Sequence, residues 1–323
     1  MIMKYDILKG TTDKISRIAL GTDVYGSALD SGMSISLLDN YCELGGNVID
    51  TASVYGGEDE HISEKLIGKW LKSKHNRDKL FISTKGGHPK TSDMSISRLS
   101  RKEIESDIDN SLKNLGVDYI DIYWLHRDDA SIAAGEIMDT LNTLVKKGKT
   151  RYIGMSNWTC ERINEANEYA EKNGYAKLIS SQIQYSPARA VIENNDPTLV
   201  LMNDNEYDYF SNHDLSVFAF ASQAKGFFSK LANGGIAALS EKAKDRYLSD
   251  TNLKIFENIK TVAENHNATI GETVIASLIY NGAFQTIPII GCKNLTQLKD
   301  SMNGADTGLS QEECDFILLR ENQ

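Results

Sequence analysis

The sequence predicts a closed barrel of eight parallel β-strands, each followed by an α-helix. Short apolar runs alternate with amphipathic stretches along the 323 residues, and parallel neighbours need such crossover connections. About eight strand–helix units in a chain of this length fit a (β/α)8 TIM barrel, which is an α/β fold. An open doubly wound sheet is the alternative. It usually carries a G-x-G-x-x-G fingerprint after its first strand, and this sequence contains no such motif.

The predicted strands are short and apolar, and most of them end on a polar residue or before a glycine. The first begins at Arg17 and runs into a loop at Gly21 and Thr22. The others are Val48–Asp50, Leu80–Lys85, Tyr119–His126, Tyr152–Asn157, Leu178–Gln182, Ser216–Phe220 and Thr286–Ile290.

The predicted helices have apolar residues at helical spacing, and glycines follow several of them. Ser100 to Glu103 fits a capping box, which predicts a helix that continues to Leu115 and stops at Gly116. The others are Ile35–Leu44, Glu60–Lys74, Ala134–Lys147, Cys160–Asn173, Asp204–Asn212, Leu253–His266, Ile270–Asn281 and a last helix that opens with Leu295–Met302.

We expect residues 1–323 to form one barrel domain. Residues 226–250 are predicted to be a long, partly irregular loop, and residues 310–323 a short polar tail. Both are expected near the mouth of the barrel. Because specificity in barrels comes from the loops that follow the strands, these two segments and Arg127–Ala133 are the candidate specificity elements.

The charge balance and the lack of certain motifs narrow the function. The chain has 35 basic and 45 acidic residues, a formal charge of −10 and no basic run, which does not indicate binding to nucleic acid. No apolar run is long enough for a signal peptide or a membrane span, so we expect a cytoplasmic protein. The four cysteines are scattered without a C-x-x-C motif, which predicts reduced thiols and no metal site. The sequence does not indicate an oligomeric state.

Polar residues stand at the ends of several predicted strands. Asp50, Lys85 and His126 end three of them, and Tyr55 lies in the loop after the first of these. Each alone has an ordinary explanation, such as a turn acid, a solvated lysine, a hydrogen-bonded histidine or a packing tyrosine. In a barrel, however, the carboxyl ends of the strands meet at one rim, where active sites lie. We therefore consider the four residues as one candidate site.

These residue types predict proton transfer to a carbonyl oxygen. A tyrosine has an ordinary pKa of about 10, and an ammonium group from Lys85 beside Tyr55 is expected to lower that pKa. Asp50 would orient the lysine, and His126 would hydrogen-bond the substrate oxygen. No nucleophile motif such as G-x-S-x-G is present. A hydride-carrying cofactor is therefore the expected source of electrons.

Other strand ends offer groups that suit such a cofactor. Ser156, Asn157 and Gln182 supply hydrogen-bond donors and acceptors that would fix a carboxamide. Phe220 would stack on a flat ring. Taken singly, Ser156 and Asn157 could instead cap the helix that follows them.

Five segments give the sequence a resemblance to the aldo-keto reductase superfamily. They are Asp50-Thr51-Ala52-x-x-Tyr55, Ser83-Thr84-Lys85, Leu115–Asp121 followed by His126, Gly148–Asn157 and Gln182-x-x-Tyr185-Ser186. The resemblance runs from about Leu20 to Ser301. It implies a (β/α)8 barrel and an NADP(H)-dependent reductase of an aldehyde, ketone or sugar, or the reverse alcohol dehydrogenase, without a metal.

The resemblance also implies a role for each matching residue. Tyr55 would be the general acid and base, tuned by Lys85 and Asp50, and His126 would orient the substrate oxygen. The residues expected to contact the substrate are Tyr25, Tyr55, His126 and Arg127. Those expected to bind the cofactor are Gly21, Thr22, Ser156, Asn157, Gln182, Phe220, Ala221, Ser222, Gln223, Lys225, Gly226, Gly291, Lys293, Gln297 and Ser301.

Two regions depart from the pattern of that superfamily. Residues 221–223 are Ala-Ser-Gln, where a Ser-Pro-Leu segment near the cofactor pyrophosphate is common. After the last strand, Lys293 is one firm cation for the 2′-phosphate, while Gln297 and Ser301 replace a common Arg and Asn. An arginine fork binds phosphate more strongly than one lysine. We therefore expect NADP(H) as the cofactor, with NAD(H) as a secondary one.

Other functions stay open at this point. The barrel could bind the cofactor as a regulatory or redox-sensing protein without significant turnover. A barrel of unrelated chemistry, such as an isomerase, would leave Ser156, Asn157 and Gln182 unexplained. For an enzyme, the polar tail brings little apolar material to close a pocket. We therefore expect an open site that accepts small-molecule carbonyl compounds which are polar or bulky, such as sugars.

Overall fold

Eight parallel strands close into a barrel, which confirms the predicted fold class. The structure is a computed structural model that describes residues 4–57 and 61–320. The barrel strands are β3 (Ala19–Gly21), β4 (Val48–Asp50), β5 (Phe81–Gly86), β6 (Ile120–Leu125), β7 (Thr150–Ser156), β8 (Ser180–Gln184), β9 (Ser216–Phe220) and β10 (Thr286–Ile290). Each strand pairs with the next in sequence, and β10 pairs with β3.

The register of the strands brings their carboxyl ends to one rim. Gly21 lies beside Asp50, and Asp50 beside Ser83, along the β3–β4–β5 edge. On the other side of the barrel, Ser156 lies beside Gln182. The polar strand ends of the sequence therefore lie around one opening, as the parallel topology requires.

Helices surround the barrel and cover its outer face. The α-helices are α1 (Ser31–Glu43), α2 (Ile62–Lys74), α3 (Arg101–Leu115), α4 (Ala134–Lys146), α5 (Cys160–Asn173), α6 (Asp204–Asn212), α7 (Phe227–Gly234), α8 (Glu241–Tyr247), α9 (Asp250–His266), α10 (Ile270–Ile279), α11 (Leu295–Asn303) and α12 (Gln311–Leu318). The predicted stops at Gly116 and Gly174 are left-handed C-caps, a conformation that glycine adopts without steric cost. The predicted start of α2 at Glu60 lies outside the described residues.

The opposite end of the barrel is closed by an antiparallel hairpin that the sequence analysis missed. It consists of β1 (Tyr5–Ile7) and β2 (Lys14–Ser16). Leu8, which follows β1, and Ile15 of β2 are buried in the apolar cluster inside the barrel. That cluster also contains Trp124. The hairpin therefore excludes water from the end that does not carry the polar strand ends.

The barrel interior is tightly filled, and one glycine shows how closely. A Cβ on Gly154 would lie 2.4 Å from the ring of Trp124, so only glycine fits beside that indole. Trp124 in turn meets Phe218 edge-on, with ring centroids 5.1 Å apart. A second core lies between the strands and the helices, and a third packs α7–α10 together with α12.

Two segments differ from the sequence prediction. The expected irregular loop 226–250 is largely helical, because α7, a short 3-10 helix at Ile236–Ala238 and α8 occupy most of it. The expected polar tail contains α12, whose Cys314 and Ile317 are buried in the third core. The polar residues of that tail form the exposed face of an amphipathic helix, and its apolar residues pack against α9 and α10.

Candidate active site

Asp50, Lys85 and Tyr55 are in direct contact at the rim. The Lys85 ammonium lies 2.6 Å from a carboxylate oxygen of Asp50 and donates a 3.0 Å hydrogen bond to the Tyr55 hydroxyl. It also donates to the carbonyl oxygen of Thr51, 2.9 Å away. Asp50 and Lys85 are buried, whereas Tyr55 is half-buried. The three donor directions of the lysine are thus all used, which fixes the ammonium against the phenol.

Two further side chains hold the Asp50 carboxylate, and the sequence analysis gave neither of them this role. The Ser83 hydroxyl donates a 2.6 Å hydrogen bond to Asp50 Oδ1, and the Gln182 amide donates a 3.0 Å bond to the same oxygen. Ser83 is two residues before Lys85 on β5 and therefore faces the same side of the strand. The alternation of side chains along the strand could therefore have identified Ser83 as a neighbour of Asp50 and Lys85.

The titration of Tyr55 differs from the sequence prediction. Burial raises the pKa of the phenol above its ordinary value of 10, and the ammonium of Lys85 offsets only part of that increase. Burial alone would lower the pKa of Lys85, but the Asp50 carboxylate and the Tyr55 hydroxyl reverse the effect and raise it. Near neutral pH the tyrosine therefore holds its proton and the lysine its charge. A protonated phenol is the form that a proton donor needs.

His126 is buried and uncharged next to the tyrosine. Burial, followed by the charge of Lys85, lowers the pKa of its imidazole well below the ordinary 6.5. The ring meets Tyr55 edge-on with centroids 5.9 Å apart, and its Nδ1 atom has no hydrogen-bond partner in the described structure. A second imidazole, His88, packs against it at 4.6 Å. The sequence analysis did not identify His88 as a member of this cluster.

Ser156 and Asn157 lie across the rim from the tyrosine. Asn157 takes a left-handed conformation with φ of 60° and is buried. Its amide donates to Ser156 Oγ at 3.0 Å and to the carbonyl oxygen of His126 at 3.2 Å. The backbone N–H of Val200 donates to its Oδ1 atom. Asn157 therefore joins three loops at the mouth in addition to any role in ligand binding.

The segment after β9 has an unusual backbone. Ala221, Ala224 and Lys225 have φ between 47° and 55°, and Gly226 has φ of 77°. Non-glycine residues in this region are strained, and such strain is concentrated at functional sites. Phe220 is half-buried at the strand end just before this segment.

The other predicted cofactor residues of this half of the rim differ in their exposure and in their contacts. The Ser222 hydroxyl bonds the carbonyl oxygen of Ile289, and the amide of Gln223 donates to the Ser301 hydroxyl at 3.2 Å. Lys293 is exposed between β10 and α11, and its backbone N–H donates to the Gln297 side chain. Gly291 is exposed, with open space where a side chain would be.

Three residues expected beside the cofactor or the substrate are buried in the described structure. Tyr25 has an exposed fraction of 0%, and its hydroxyl has no hydrogen-bond partner in the described structure. A contact between Tyr25 and a substrate stays a prediction. Thr22 is equally buried and bonds the carbonyl oxygen of Asp50, while a side chain at Gly21 would collide with Ile289 at 2.8 Å.

Arg127 is half-buried beside the mouth, and its guanidinium binds a loop. It donates to the carbonyl oxygen of His126 at 2.8 Å and to the hydroxyl of Thr198 at 3.0 Å. Within the described residues, the remaining donors of the guanidinium make no hydrogen bond or ion pair, so a ligand could approach them from the mouth. A contact between Arg127 and a substrate stays a prediction.

The sequence as a whole matches one known family. The sequence pattern of the Aldo/keto reductase family matches residues 17–317, which include every strand of the barrel and the whole Asp50–Tyr55–Lys85–His126 cluster. The chain belongs to the aldo/keto reductase family. It is therefore an oxidoreductase by family, and the resemblance stated from its motifs is confirmed.

Relatives of the chain cover most of its length. It is 28% identical to an aldo-keto reductase, ausK, of Emericella nidulans, over 97% of this chain and 80% of that protein. It is 27% identical to the uncharacterized oxidoreductase YrpG of Bacillus subtilis, over 96% and 93%. It is 26% identical to an aryl-alcohol dehydrogenase [NADP(+)] of Phanerodontia chrysosporium, over 91% and 77%. No helix of the described ranges 4–57 and 61–320 is long and apolar enough to cross a membrane.

Proposed function

We propose that this aldo/keto reductase reduces the carbonyl group of an aldehyde, ketone or sugar to an alcohol, with NADP(H) as the hydride carrier. The observation that carries the proposal is the 3.0 Å hydrogen bond from the Lys85 ammonium to the Tyr55 hydroxyl. A protonated phenol beside a buried ammonium and a neutral imidazole suits an oxygen atom that gains negative charge. One relative of the chain is named an NADP(+)-dependent aryl-alcohol dehydrogenase.

The chain's own residues would perform the proton transfer. Tyr55 gives the proton of its hydroxyl to the carbonyl oxygen as that oxygen becomes an alkoxide. Lys85, fixed by Asp50, stabilises the phenolate that remains. Neutral His126 donates an N–H to the same substrate oxygen and orients it. In the reverse direction Tyr55 accepts the proton of an alcohol.

The other side of the rim would hold the cofactor, which supplies the hydride when bound. Ser156, Asn157 and Gln182 present hydroxyl and amide groups, the donor set that a nicotinamide carboxamide requires. The left-handed backbone of residues 221–226 fits a pyrophosphate, because successive N–H groups in such turns form concave anion sites. Lys293 is exposed and makes no ion pair within the described residues, which leaves its charge for a 2′-phosphate. The four thiols are free, which supports a reducing, cytoplasmic setting.

The decisive variant removes one hydroxyl group. We expect Tyr55→Phe to bind NADPH normally but to oxidise it with a carbonyl panel of aryl aldehydes, ketones and sugars at least about 100-fold more slowly, since general acids contribute about 10²–10⁴-fold. Tyr123→Phe is the matched control, because it removes an unpartnered buried hydroxyl outside the site and should keep full turnover. Full turnover by Tyr55→Phe on a good substrate would refute the assignment.

The cofactor preference is tested by titration of the protein with NADPH and with NADH, followed by quenching of tryptophan fluorescence. Trp158 is adjacent to Asn157 and is expected to report on binding. We expect Lys293→Met to weaken NADPH about tenfold and to leave NADH unchanged, because a charged hydrogen bond contributes about 1.5–3 kcal/mol. Lys299→Met, an exposed lysine on helix α11 just after Lys293, is the control. Equal affinities for NADPH and NADH in the unmodified protein would refute the NADP preference.

A further inference from the structure

A cluster of potential metal ligands lies outside the rim, where helices α5 and α6 begin. Cys160 and Glu161 are the first two residues of α5, and Glu206 belongs to the first turn of α6. One ligand atom from each of the three, a sulfur and two carboxylate oxygens, lies within 4.8 Å of the other two. Glu206 is far in sequence from the adjacent Cys160 and Glu161, so no spacing motif revealed the cluster.

Glu206 is the member of this cluster that needs an explanation. Its exposed fraction is 4%, and its Oε2 atom has no hydrogen-bond partner in the described structure. A carboxylate oxygen without a partner is costly in a buried position, unless it is protonated or binds a cation. Cys160, beside it, is equally buried. Glu206, a carboxylate with one orphan oxygen, thus belongs to the same cluster as a buried thiol.

Asn205 offers a fourth ligand at the same place. Its amide nitrogen donates to Cys160 Sγ at 3.2 Å and to a carboxylate oxygen of Glu161 at 2.8 Å. Rotation of this exposed side chain about its last bond exchanges the nitrogen for the amide oxygen. The amide would then present an acceptor, instead of a donor, to the centre of the cluster.

We propose that Cys160, Glu161, Glu206 and the Asn205 amide oxygen bind one Zn²⁺ ion. A thiolate among oxygen ligands favours a borderline-soft cation over Mg²⁺ or Ca²⁺, which prefer sites made of oxygen atoms alone. On binding, the S–H bond of Cys160 breaks, its proton leaves to solvent and a Zn–S bond forms. No electron is transferred, and the thiolate and two carboxylates carry one more negative charge than the ion carries positive charge.

The cluster must contract by about 1 Å to reach zinc geometry, because tetrahedral ligands at about 2.0–2.3 Å from the metal lie about 3.5 Å apart. The exposed residues supply that movement. Glu161 and Asn205 are exposed side chains, whereas Cys160 and Glu206 are fixed by burial. The two fixed groups would provide the pre-organised half of the site.

The site would connect two segments that flank the mouth of the barrel. Helix α5 begins three residues after Asn157. Helix α6 follows the loop that contains Val200, and the Val200 N–H donates a hydrogen bond to the Asn157 side chain. A cation that joins the starts of both helices would therefore brace this loop from outside. This role does not depend on the proposed reductase activity.

Zinc binding is tested by isothermal titration of the full chain with ZnCl₂. We expect one Zn²⁺ per chain, release of one proton, and no comparable binding of Mg²⁺. Cys160→Ser and Glu206→Gln should each weaken this binding at least about tenfold, as changes around metal sites do. Cys42→Ser, a half-exposed cysteine elsewhere, should not change it. Absence of stoichiometric binding, or a loss in Cys42→Ser but not in Cys160→Ser, would overturn the proposal.

Two further measurements guard against variants that fold poorly. Co²⁺ added to the unmodified protein should give a thiolate charge-transfer band, and its absence would exclude Cys160 as a ligand. Zn²⁺ at a hundredfold excess over its Kd should raise the Tm of the unmodified protein, since binding to the native state alone stabilises it. The Tm of Glu206→Gln should be as high as that of the unmodified protein without zinc, and it should not respond to zinc. A zinc response equal to that of the unmodified protein would overturn the assignment.

Discussion

Two buried aspartates at opposite ends of the barrel are stabilised in different ways. Asp121, near the start of β6, accepts a hydrogen bond from the Ile82 N–H and ion pairs from Arg77 and Arg151. Arg151 continues the network to Asp13 beside the hairpin. Both arginines are partly exposed, so their charges remain partly hydrated. The hydrogen bond and the two ion pairs thus satisfy the carboxylate of Asp121, and the arginines lose little of their hydration.

Asp50, at the other end, binds a cation that is itself buried. The side chain of Lys85 is 1% exposed, and its ammonium also contacts the Tyr55 hydroxyl. A buried pair of this kind does not by itself stabilise a fold, because the loss of hydration offsets the attraction between the charges. We therefore expect the Asp121 cluster to contribute to stability, and we propose that the Asp50 cluster contributes to chemistry instead.

The largest expected effect is on turnover. Lys85→Met should lower kcat about 1,000-fold, equivalent to about 4 kcal/mol, because the phenolate of Tyr55 loses its ammonium. Steady-state assays with saturating NADPH would measure it, with Lys79→Met as an exposed lysine control from the segment before β5. A loss below tenfold would contradict the chemical role of the pair.

The second effect is on stability and concerns the other acid. Asp121→Asn should lower the free energy of unfolding by about 2–3 kcal/mol, since it leaves two arginines without their shared carboxylate. This loss is smaller than the roughly 3–5 kcal/mol expected when a fully buried ion pair is broken, because both arginines are partly exposed to water. Urea denaturation would measure it, and kcat of the folded protein should not change. Asp109→Asn, which breaks an exposed ion pair with Lys149, is the control and should cost less than 1 kcal/mol.

A third effect appears in the dependence of stability on pH. The pKa of His126 is lowered in the folded protein, so below about pH 6.5 the unfolded chain binds a proton that the folded one excludes. Stability should therefore fall as the pH drops from about 6.5 towards the folded pKa. His126→Gln should reduce this slope by up to about 1.4 kcal/mol per pH unit. Equal slopes for both proteins would show that the pKa of His126 is the same in the folded and unfolded states, so that its imidazole is charged in the folded protein below about pH 6.5.

The smallest effect concerns Ser83, which holds the carboxylate from the side away from the lysine. Ser83→Ala removes a hydrogen bond to Asp50 and should lower kcat several-fold, in line with about 1–1.5 kcal/mol for one bond. Ser95→Ala, an exposed serine that bonds only its neighbour Asp93 in the described structure, is the control. An unchanged kcat in Ser83→Ala would show that Lys85 and Gln182 orient the acid without Ser83.

The sequence predicted those features that depend on periodicity and on parallel topology. Asp50, Lys85 and His126 could be grouped because strand ends in a barrel must meet. The hairpin was missed because its strands have three residues each and show no clear period. Helix α12 had a signal that was overlooked, since Ser310 and Glu313 form a capping box.

Other features depend on burial, which no local pattern reveals. The direction of the Tyr55 pKa shift reversed because desolvation outweighs the attraction to Lys85. The resemblance to the superfamily implied that Tyr25 lies beside the substrate, and no local pattern showed that its ring packs in the core. The contact between Gln182 and Asp50 joins strands that are not neighbours in the barrel. Such contacts follow only from the closed geometry.

The most direct test of the comparison is the unfolding free energy of the double variant Asp50→Asn/Lys85→Met. It replaces the buried ion pair by neutral groups of similar volume, so neither charge is left without a partner. The account predicts an inactive protein that is as stable as the unmodified one or more stable, by up to a few kcal/mol. A loss of stability as large as that of Asp121→Asn would contradict it, because the Asp50–Lys85 pair would then stabilise the fold.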